Sequence, residues 1–216
     1  MNARLCLLAL AVSFAPAAHG AMPKPSKAVD PRATGPEVAA QVCATCHGAS
    51  GVASIENVPN LAGQPAPYLA KQLREFKTRK RSDAGGVENM WSISHKLTEK
   101  QIDQLAKVYA GLPPAAQPAA GKPEQIAAGK AIFTGGAMAQ GVPPCAGCHG
   151  EDAAGKSMFP RLAGQHATYL IKQLMVFQTT EQRPGGTVMK AVSHELTPQD
   201  IENVAAYLQS LPGAAR

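Results

Sequence analysis

Two short stretches of the sequence contain a pair of cysteines, two residues apart, followed directly by a histidine. They are Cys43, Cys46 and His47 in the first half of the chain and Cys145, Cys148 and His149 in the second. In this pattern two thiols can add to the two vinyl groups along one edge of a porphyrin, and the adjacent imidazole can bind the iron. The sequence therefore predicts two covalently bound haem c groups, each with a histidine as its proximal iron ligand.

A Cys-x-x-Cys pair also has three other uses, and each of them fits this sequence poorly. A thioredoxin-like redox pair needs a βαβ context, which the sequence does not indicate. A zinc site would need two further ligands from elsewhere, and a structural disulfide explains neither histidine. All four cysteines beyond Cys6 belong to the two motifs, so we favour haem attachment at both.

A haem iron that carries electrons needs a sixth ligand, and methionines are the first candidates. Met90 is the only methionine between the first motif and the proline-rich stretch that follows. In the second half Met158, Met175 and Met189 compete. Met158 is close in sequence to the second motif, and Met175 falls within a predicted helix, where we expect it to fill the core. We therefore predict Met90 and Met189 as the iron ligands, which raises the reduction potential relative to two histidines.

Three other histidines must be considered as possible iron ligands. His95 and His194 each follow a predicted methionine ligand by five residues and are alternative ligands. Five residues along a helix turn a side chain well away from the first one, so we expect both histidines at the surface or beside the haem propionates. His166 has no counterpart in the first half, and we expect it at the surface.

The two motifs belong to an internal repeat of about one hundred residues, which indicates a duplicated domain. Beyond each motif, residues 59–64 resemble residues 160–165, and the stretch from Tyr68 to Phe76 resembles that from Tyr169 to Phe177. We predict a signal peptide at residues 1–20, a flexible segment at 21–35, a first domain at 36–113, a Pro/Ala-rich linker at 114–123 and a second domain at 124–216.

The apolar residues recur at helical spacing and indicate no strand. Capping patterns at Thr34, Thr98 and Thr197 predict the starts of three helices. Apolar stripes follow the second and third of these caps, so each domain is predicted to contain three to four helices joined by long loops. Loops of that length need a large group on which to pack, as a haem would provide. The predicted fold is all-α, with two tandem helical domains, each wrapped around a covalently attached haem.

Taken together, these residues resemble the cytochromes c of the small mono-haem class, duplicated as in the dihaem cytochrome c4 family. The resemblance covers about residues 36 to 212 and includes both haem motifs, both Pro-x-Leu-x-Gly-Gln segments and both methionines. It implies that the carbonyls of Pro59 and Pro160 accept the ring N–H of the haem histidines. It also implies that the two domains are related by a pseudo-twofold axis, with the haem edges facing each other.

Three functions are compatible with this sequence. The first is an exported, periplasmic electron carrier, soluble or loosely attached to the membrane surface, between redox proteins of the respiratory chain, such as a quinol-oxidising complex and a terminal oxidase. The second is the cytochrome subunit of a larger enzyme, such as a flavin-containing sulfide dehydrogenase. The third is a dihaem enzyme of the peroxidase or thiosulfate dehydrogenase type. We favour the carrier, because histidine and methionine together close both irons and leave no site for a small-molecule substrate.

The basic residues are unevenly distributed over the two halves. From residue 21 onward, the first half has 12 basic and 8 acidic side chains, whereas the second half has 8 and 7. This moderate, dispersed charge argues against nucleic-acid binding. The basic run from Lys77 to Arg81 has a nearly neutral counterpart in the second half. We therefore hypothesise that it steers docking to an acidic redox partner or an anionic membrane surface.

Overall fold

The computed structural model describes residues 23–25, 27–114 and 116–213, and this part of the chain is helical. Within it there is no β-strand, and the only extended pairings are two isolated bridges in the second half. The prediction of an all-α fold is therefore confirmed. The predicted signal peptide lies outside the described residues.

The first half contains four helical elements. The first, α1, runs through Gly35–Val38, a π-helical turn at Ala39–Cys43 and Ala44–His47, and it is followed by α2 (Ala66–Lys77), α3 (Gly86–Ser94) and α4 (Glu99–Ala110). The first haem motif therefore lies on the last turns of α1. Gly48 ends this helix with a positive φ of 74°, a conformation that only glycine adopts without strain.

The second half repeats this order with one change. Its helices are α5 (Pro123–Gly135), α6 (Ala146–His149), α7 (Ala167–Thr179), α8 (Thr187–Ser193) and α9 (Pro198–Ser210), with short 3₁₀ turns at Met138–Gln140 and Pro184–Gly186. Unlike α1, helix α5 does not run into the haem motif. The loop of residues 136–144 separates them, and the fully buried Val142 anchors this loop to the core.

The predicted helix caps are present. The hydroxyls of Thr34, Thr98 and Thr197 each accept a hydrogen bond from the backbone N–H three residues later, and the side chain at that position binds back to the threonine N–H. These bonds satisfy amide groups that have no partner inside the helix, so they fix where each helix begins. The apolar stripes of α4 and α9 that follow the caps are buried in the two cores.

Two segments predicted from composition make specific contacts. Val29 belongs to the core of the first half, and the side-chain amide of Gln101 donates to the carbonyls of Asp30 and Ala33 at 2.8 Å each. The flexibility predicted for residues 21–35 therefore does not extend to this part, because α4 holds it. In the linker, the carbonyl of Pro118 accepts a hydrogen bond of 2.7 Å from Gln209 of α9.

The two halves contact each other through a reciprocal set of hydrogen bonds. The Gln165 side chain accepts from the Asn60 N–H at 2.8 Å and donates to the Asn60 carbonyl at 3.0 Å. The Gln64 side chain does the same with Arg161, at 3.0 and 2.7 Å. Because the two glutamines occupy equivalent positions of the repeat, these bonds relate the domains by a pseudo-twofold axis.

None of the helices in the described part of the chain has the length and apolar character needed to cross a membrane.

Candidate haem sites

A single cavity of about 840 Å³ extends through both halves of the molecule. Apolar side chains from both domains line most of it, with arginine, glutamine and tyrosine side chains near the domain interface. All ten residues predicted to bind haem or support its ligands line this cavity: Cys43, Cys46, His47, Pro59, Met90, Cys145, Cys148, His149, Pro160 and Met189. The structure therefore brings together the predicted residues of each half and connects the two sites.

Each motif histidine is held by a backbone carbonyl. The Nδ1–H of His47 donates to the carbonyl of Pro59, and that of His149 donates to the carbonyl of Pro160, both at 3.0 Å. Burial lowers the pKa of both imidazoles, and the hydrogen bond to the carbonyl only partly offsets this effect. Both rings are therefore neutral with Nδ1 protonated, which leaves the lone pair of Nε2 available to bind iron.

In the described part of the chain none of the four motif cysteines belongs to a disulfide, so their sulfur atoms can form thioether bonds to haem. Burial raises the pKa of the Cys43 thiol to about 11, so an unreacted thiol at this position is uncharged, as an apolar cavity requires. Burial also raises the pKa of the Cys145 and Cys46 thiols. Two thiols and a carbonyl-held imidazole along one cavity wall form the donor set that a covalently attached haem needs.

The methionines differ in their relation to the cavity. Met90 on α3 and Met189 on α8 are partly buried and line it, and so does Met158, whose side chain is 43% exposed. Met175 does not line the cavity and is 52% exposed. The prediction that Met175 packs in the core was wrong, because α7 turns this position to the solvent rather than to the apolar stripe.

The other three histidines of the described residues, His95, His166 and His194, do not line the cavity. His95 and His194 are exposed, and the ring of His95 stacks on Trp91 with 4.4 Å between ring centroids. The expectation of a surface position for these two is confirmed. His166, in contrast, was wrongly expected at the surface. It is only 5% exposed, and its Nε2–H donates to the carbonyl of Ala53 in the other domain at 3.0 Å.

A cluster of polar side chains from both domains borders the middle of the cavity. Arg81 pairs with Asp83 at 2.7 Å and also reaches Gln72 of its own domain and Gln173 of the other. Arg183 makes the mirror-image contacts, at 2.6 Å to Gln173 and 2.9 Å to Gln72. Asp83 pairs with a guanidinium group, whereas the nearby Glu75 accepts from Gln72 and pairs with Lys71, so the two arginines leave the cluster with excess positive charge. This charge suits the acidic propionates of haem.

This cluster was not predicted from the sequence, and Arg81 was expected to belong to a basic run that docks a partner. Arg81 is 5% exposed, and the attraction of Tyr169 and Asp83 outweighs the effect of burial and raises its pKa. That part of the docking hypothesis was wrong, because Arg81 lies between the domains. A signal was available, since an arginine precedes the Gly-Gly pair ahead of the predicted methionine ligand in both copies of the repeat.

Comparison with known proteins identifies the family. A family model for cytochrome c matches residues 32–107 and 126–212. Cytochrome c4 of Pseudomonas aeruginosa is 37% identical over 176 residues, which are 80% of this chain and 85% of that protein.

The chain belongs to the cytochrome c4 family.

The crystal structure of reduced recombinant cytochrome c4 from Pseudomonas stutzeri agrees with this membership. It is 33% identical and superposes with a TM-score of 0.74 over 85% of this chain and all of that one. A further relative, a thiosulfate dehydrogenase electron acceptor of Stutzerimonas stutzeri, is 32% identical and covers 82% of each chain. As a member of the cytochrome c4 family, this chain is a dihaem electron-transfer protein with two covalently attached haem c groups in two cytochrome c domains.

Proposed function

We propose that this cytochrome c4 family member carries electrons in the bacterial periplasm between redox proteins of the respiratory chain. In this proposal Cys43, Cys46, Cys145 and Cys148 attach the two haem groups. His47 and Met90 bind one iron, and His149 and Met189 bind the other. The observation that carries the proposal is that all of these side chains line one cavity and that Pro59 and Pro160 orient both histidines in the same way.

The proposed ligand set makes the chain a carrier rather than an enzyme. A histidine and a methionine on each iron leave no open coordination position for a substrate. The protein's own contribution is then to hold the imidazoles, to exclude water from the apolar cavity and to offset the propionate charge with Arg81 and Arg183. These features set the reduction potentials of the two haem groups. Because both irons are closed, the haem groups can only exchange electrons.

For the first domain we propose a docking surface for an acidic redox partner. We call it the Trp91 patch, and its residues are Arg79, Lys80, Trp91, His95 and Lys96. The guanidinium of Arg79 lies 3.9 Å from the centre of the Trp91 ring, and Lys80 and Lys96 are exposed. Trp91 directly follows the proposed ligand Met90. A partner that binds this patch would therefore lie close to the first haem.

Exchange of Arg79 and Lys80 for glutamine tests this docking surface. Because the two cations attract an acidic partner over a distance, the double variant should show slower electron exchange at low ionic strength and a weaker dependence on salt. Stopped-flow reduction by the partner at several salt concentrations measures both. Lys130→Gln, which removes an exposed charge from the second domain, is the matched control. An unchanged salt dependence in the double variant would reject the patch.

A second candidate is a dedicated electron acceptor for an oxidising enzyme. The relative from Stutzerimonas stutzeri, described as a thiosulfate dehydrogenase electron acceptor, supports it. The two candidates differ in the partner rather than in the haem sites, because the catalytic centre would lie on another chain. Co-purification of an enzyme in fixed proportion supports the acceptor function. Rapid exchange with several partners supports the mobile carrier.

Potentiometric titration with visible spectra tests the ligand assignment. We expect two low-spin haems of high potential, both with the far-red band of a ferric iron–methionine bond. Met90→Ala and Met189→Ala should each remove about half of this band. Met175→Ala is the control and should leave the band intact, because Met175 lies outside the cavity. If Met158→Ala removed half of the band and Met189→Ala did not, the assignment in the second domain would be wrong.

A further inference from the structure

The segments that lead into the two methionine-bearing helices are short and rich in glycine. Residues 81–86 lead into α3 with Met90, and residues 182–186 lead into α8 with Met189. We call them the approach segments. Each ends with a Gly-Gly pair, which does little on its own to fix the direction of the helix that follows.

The first approach segment is held from both domains. In its own domain the Arg81 N–H donates to the carbonyl of Glu75 at 3.1 Å, and the Asn89 side chain donates to the carbonyl of Gly85 at 2.6 Å. The second domain adds three further contacts. The Lys172 ammonium on α7 donates to the carbonyl of Ala84 at 2.6 Å. The Ser82 N–H donates to the carbonyl of Gln182 at 2.8 Å, which joins the two approach segments to each other. The Gln173 side chain, also on α7, contacts both Arg81 and Asp83.

The second approach segment is also held from both domains. Arg183 donates to Gln173 of its own domain at 2.6 Å, and the first domain adds two contacts. The Lys71 ammonium on α2 donates to the carbonyl of Gly185 at 2.8 Å and also pairs with Glu75 of its own helix at 3.4 Å, a pair that Lys172 lacks because Val176 occupies the equivalent position. The Gln72 side chain, one residue further along α2, accepts from Arg183 at 2.9 Å. Lys71 and Lys172 occupy equivalent positions of the repeat, as do Gln72 and Gln173. The arrangement is therefore reciprocal, and both lysines point across the domain interface.

We propose that each domain positions the methionine ligand of the other, and that Lys71 and Lys172 are the positioning residues. This inference rests on the proposed assignment of Met90 and Met189 as ligands. Lys71 supports Met189 through Gly185, and Lys172 supports Met90 through Ala84. A thioether is a neutral ligand that imidazole can displace from ferric iron. The resistance to displacement therefore depends on how firmly the approach segment and its helix are held.

The test uses the full-length, haem-loaded protein with one site reporting at a time. Met90→His converts the first site to two histidines, so that the far-red band then reports Met189 alone. Met189→His makes the band report Met90 alone. Lys71→Met and Lys172→Met, which keep most of the aliphatic side chain, are placed in each background. The measured quantity is the imidazole concentration that removes half of the ferric far-red band.

We expect a crossed pattern. Lys71→Met should lower the imidazole midpoint of the Met189 site about threefold and leave the Met90 site unchanged, and Lys172→Met should do the reverse. The threefold figure allows for the partial exposure of these lysines. Lys71→Arg keeps a cationic donor and should restore much of the resistance. Lys100→Met, which removes an exposed charge from α4, should move neither midpoint.

Any other pattern overturns the inference. Equal shifts at both sites would indicate a general loss of positive charge, and a shift at the site of the lysine's own domain would indicate support within that domain. No shift at either site would mean that the lysines do not position the approach segments. A failure of the ligand assignment is recognised separately, because the Met90→His or Met189→His parent would then lack the expected remaining far-red band before any lysine is changed.

Discussion

At the scale of single residues, the protein uses backbone carbonyls and one buried ion pair to control charge around an apolar cavity. Pro59 and Pro160 fix the tautomer of the motif histidines without introducing a charge. Between the domains, Asp83 is 1% exposed and neutralises Arg81. Nothing in the second half matches Asp83, because Pro184 directly follows Arg183. The buried guanidinium of Arg81 therefore depends on this one carboxylate for its counter-ion.

Asp83→Asn should destabilise the protein at neutral pH by about 2–4 kcal/mol, because it leaves a buried guanidinium without its counter-ion. Chemical unfolding followed by circular dichroism measures this loss. Asp103→Asn is the matched control. It breaks the partly exposed pair with Arg74, so it should cost less than about 1 kcal/mol. Equal losses in the two variants would contradict the role given to Asp83.

The difference between the wild type and Asp83→Asn should also depend on pH. Burial alone raises the pKa of Asp83, but the hydrogen bond and charge of Arg81 outweigh it, so the pKa in the folded protein lies below the ordinary 3.8. A carboxyl group with a lowered pKa stabilises the fold above its ordinary pKa, and this contribution is lost as the pH falls through the lowered value. Unfolding free energies of the two proteins should therefore converge below about pH 4 and stay separate above it.

At the scale of elements, each haem motif ends a helix at a glycine, but the two turns tolerate a side chain differently. Gly48 and Gly150 both have a positive φ, of 74° and 85°. A Cβ at Gly48 would lie 2.2 Å from the carbonyl oxygen of Val52, which is backbone and cannot move aside. At Gly150 the nearest atom would be a carboxylate oxygen of Asp152 at 3.1 Å, which can rotate away.

Gly48→Ala should therefore be more harmful than Gly150→Ala. Both variants carry the cost of a left-handed alanine, about 1–2 kcal/mol, and Gly48→Ala adds the displacement of the Val52 turn, for a total of about 3 kcal/mol or more. Chemical unfolding and the fraction of protein with haem attached at each motif provide the measurement. The repeat supplies the control, since the two variants make the same change in equivalent motifs. Equal losses would show that the contact with Val52 is relieved.

The elements also show which features the sequence alone can predict. Helix starts at Thr34, Thr98 and Thr197 depend on bonds within a single turn, so the residues alone identify them. The repeat located the motifs and the equivalent methionines Met90 and Met189, because it is visible in the sequence itself. His166 and Arg81 were misplaced because their burial depends on the other domain, whose position no local pattern encodes. Met175 was misplaced because its helix is amphipathic and the choice between its two faces depends on tertiary packing.

At the scale of the whole molecule, the hydrogen bonds of Gln64 and Gln165 across the interface couple the two domains. Gln64 and Gln165 each satisfy one N–H and one carbonyl of the opposite domain, and those groups are buried. Removing either glutamine takes a hydrogen bond away from each of two buried backbone groups, which is costly. Together with the crossed lysine contacts, these bonds fix the geometry across which electrons pass between the haem groups.

Changing Gln64 and Gln165 together to alanine should uncouple the domains. We expect a loss of about 2–4 kcal/mol, and calorimetry should resolve two unfolding transitions in the double variant but a single one in the wild type. Gln199→Ala on α9 is the control, since that side chain bonds only to Asn203 within its own helix. A single transition in the double variant would mean that other contacts are sufficient to keep the domains coupled.

The reciprocal glutamine bonds also have a consequence for how such a molecule can arise. An interface in which equivalent residues exchange equivalent bonds is isologous, the type that joins two identical subunits in a symmetric dimer. A single-copy ancestor with this glutamine could therefore have formed the same bonds with a second molecule before the gene was duplicated. Fusion of the two copies then made the association independent of concentration. Fusion would also let each half diverge separately, and the halves now differ in Asp83, in His166 and in the loop of residues 136–144.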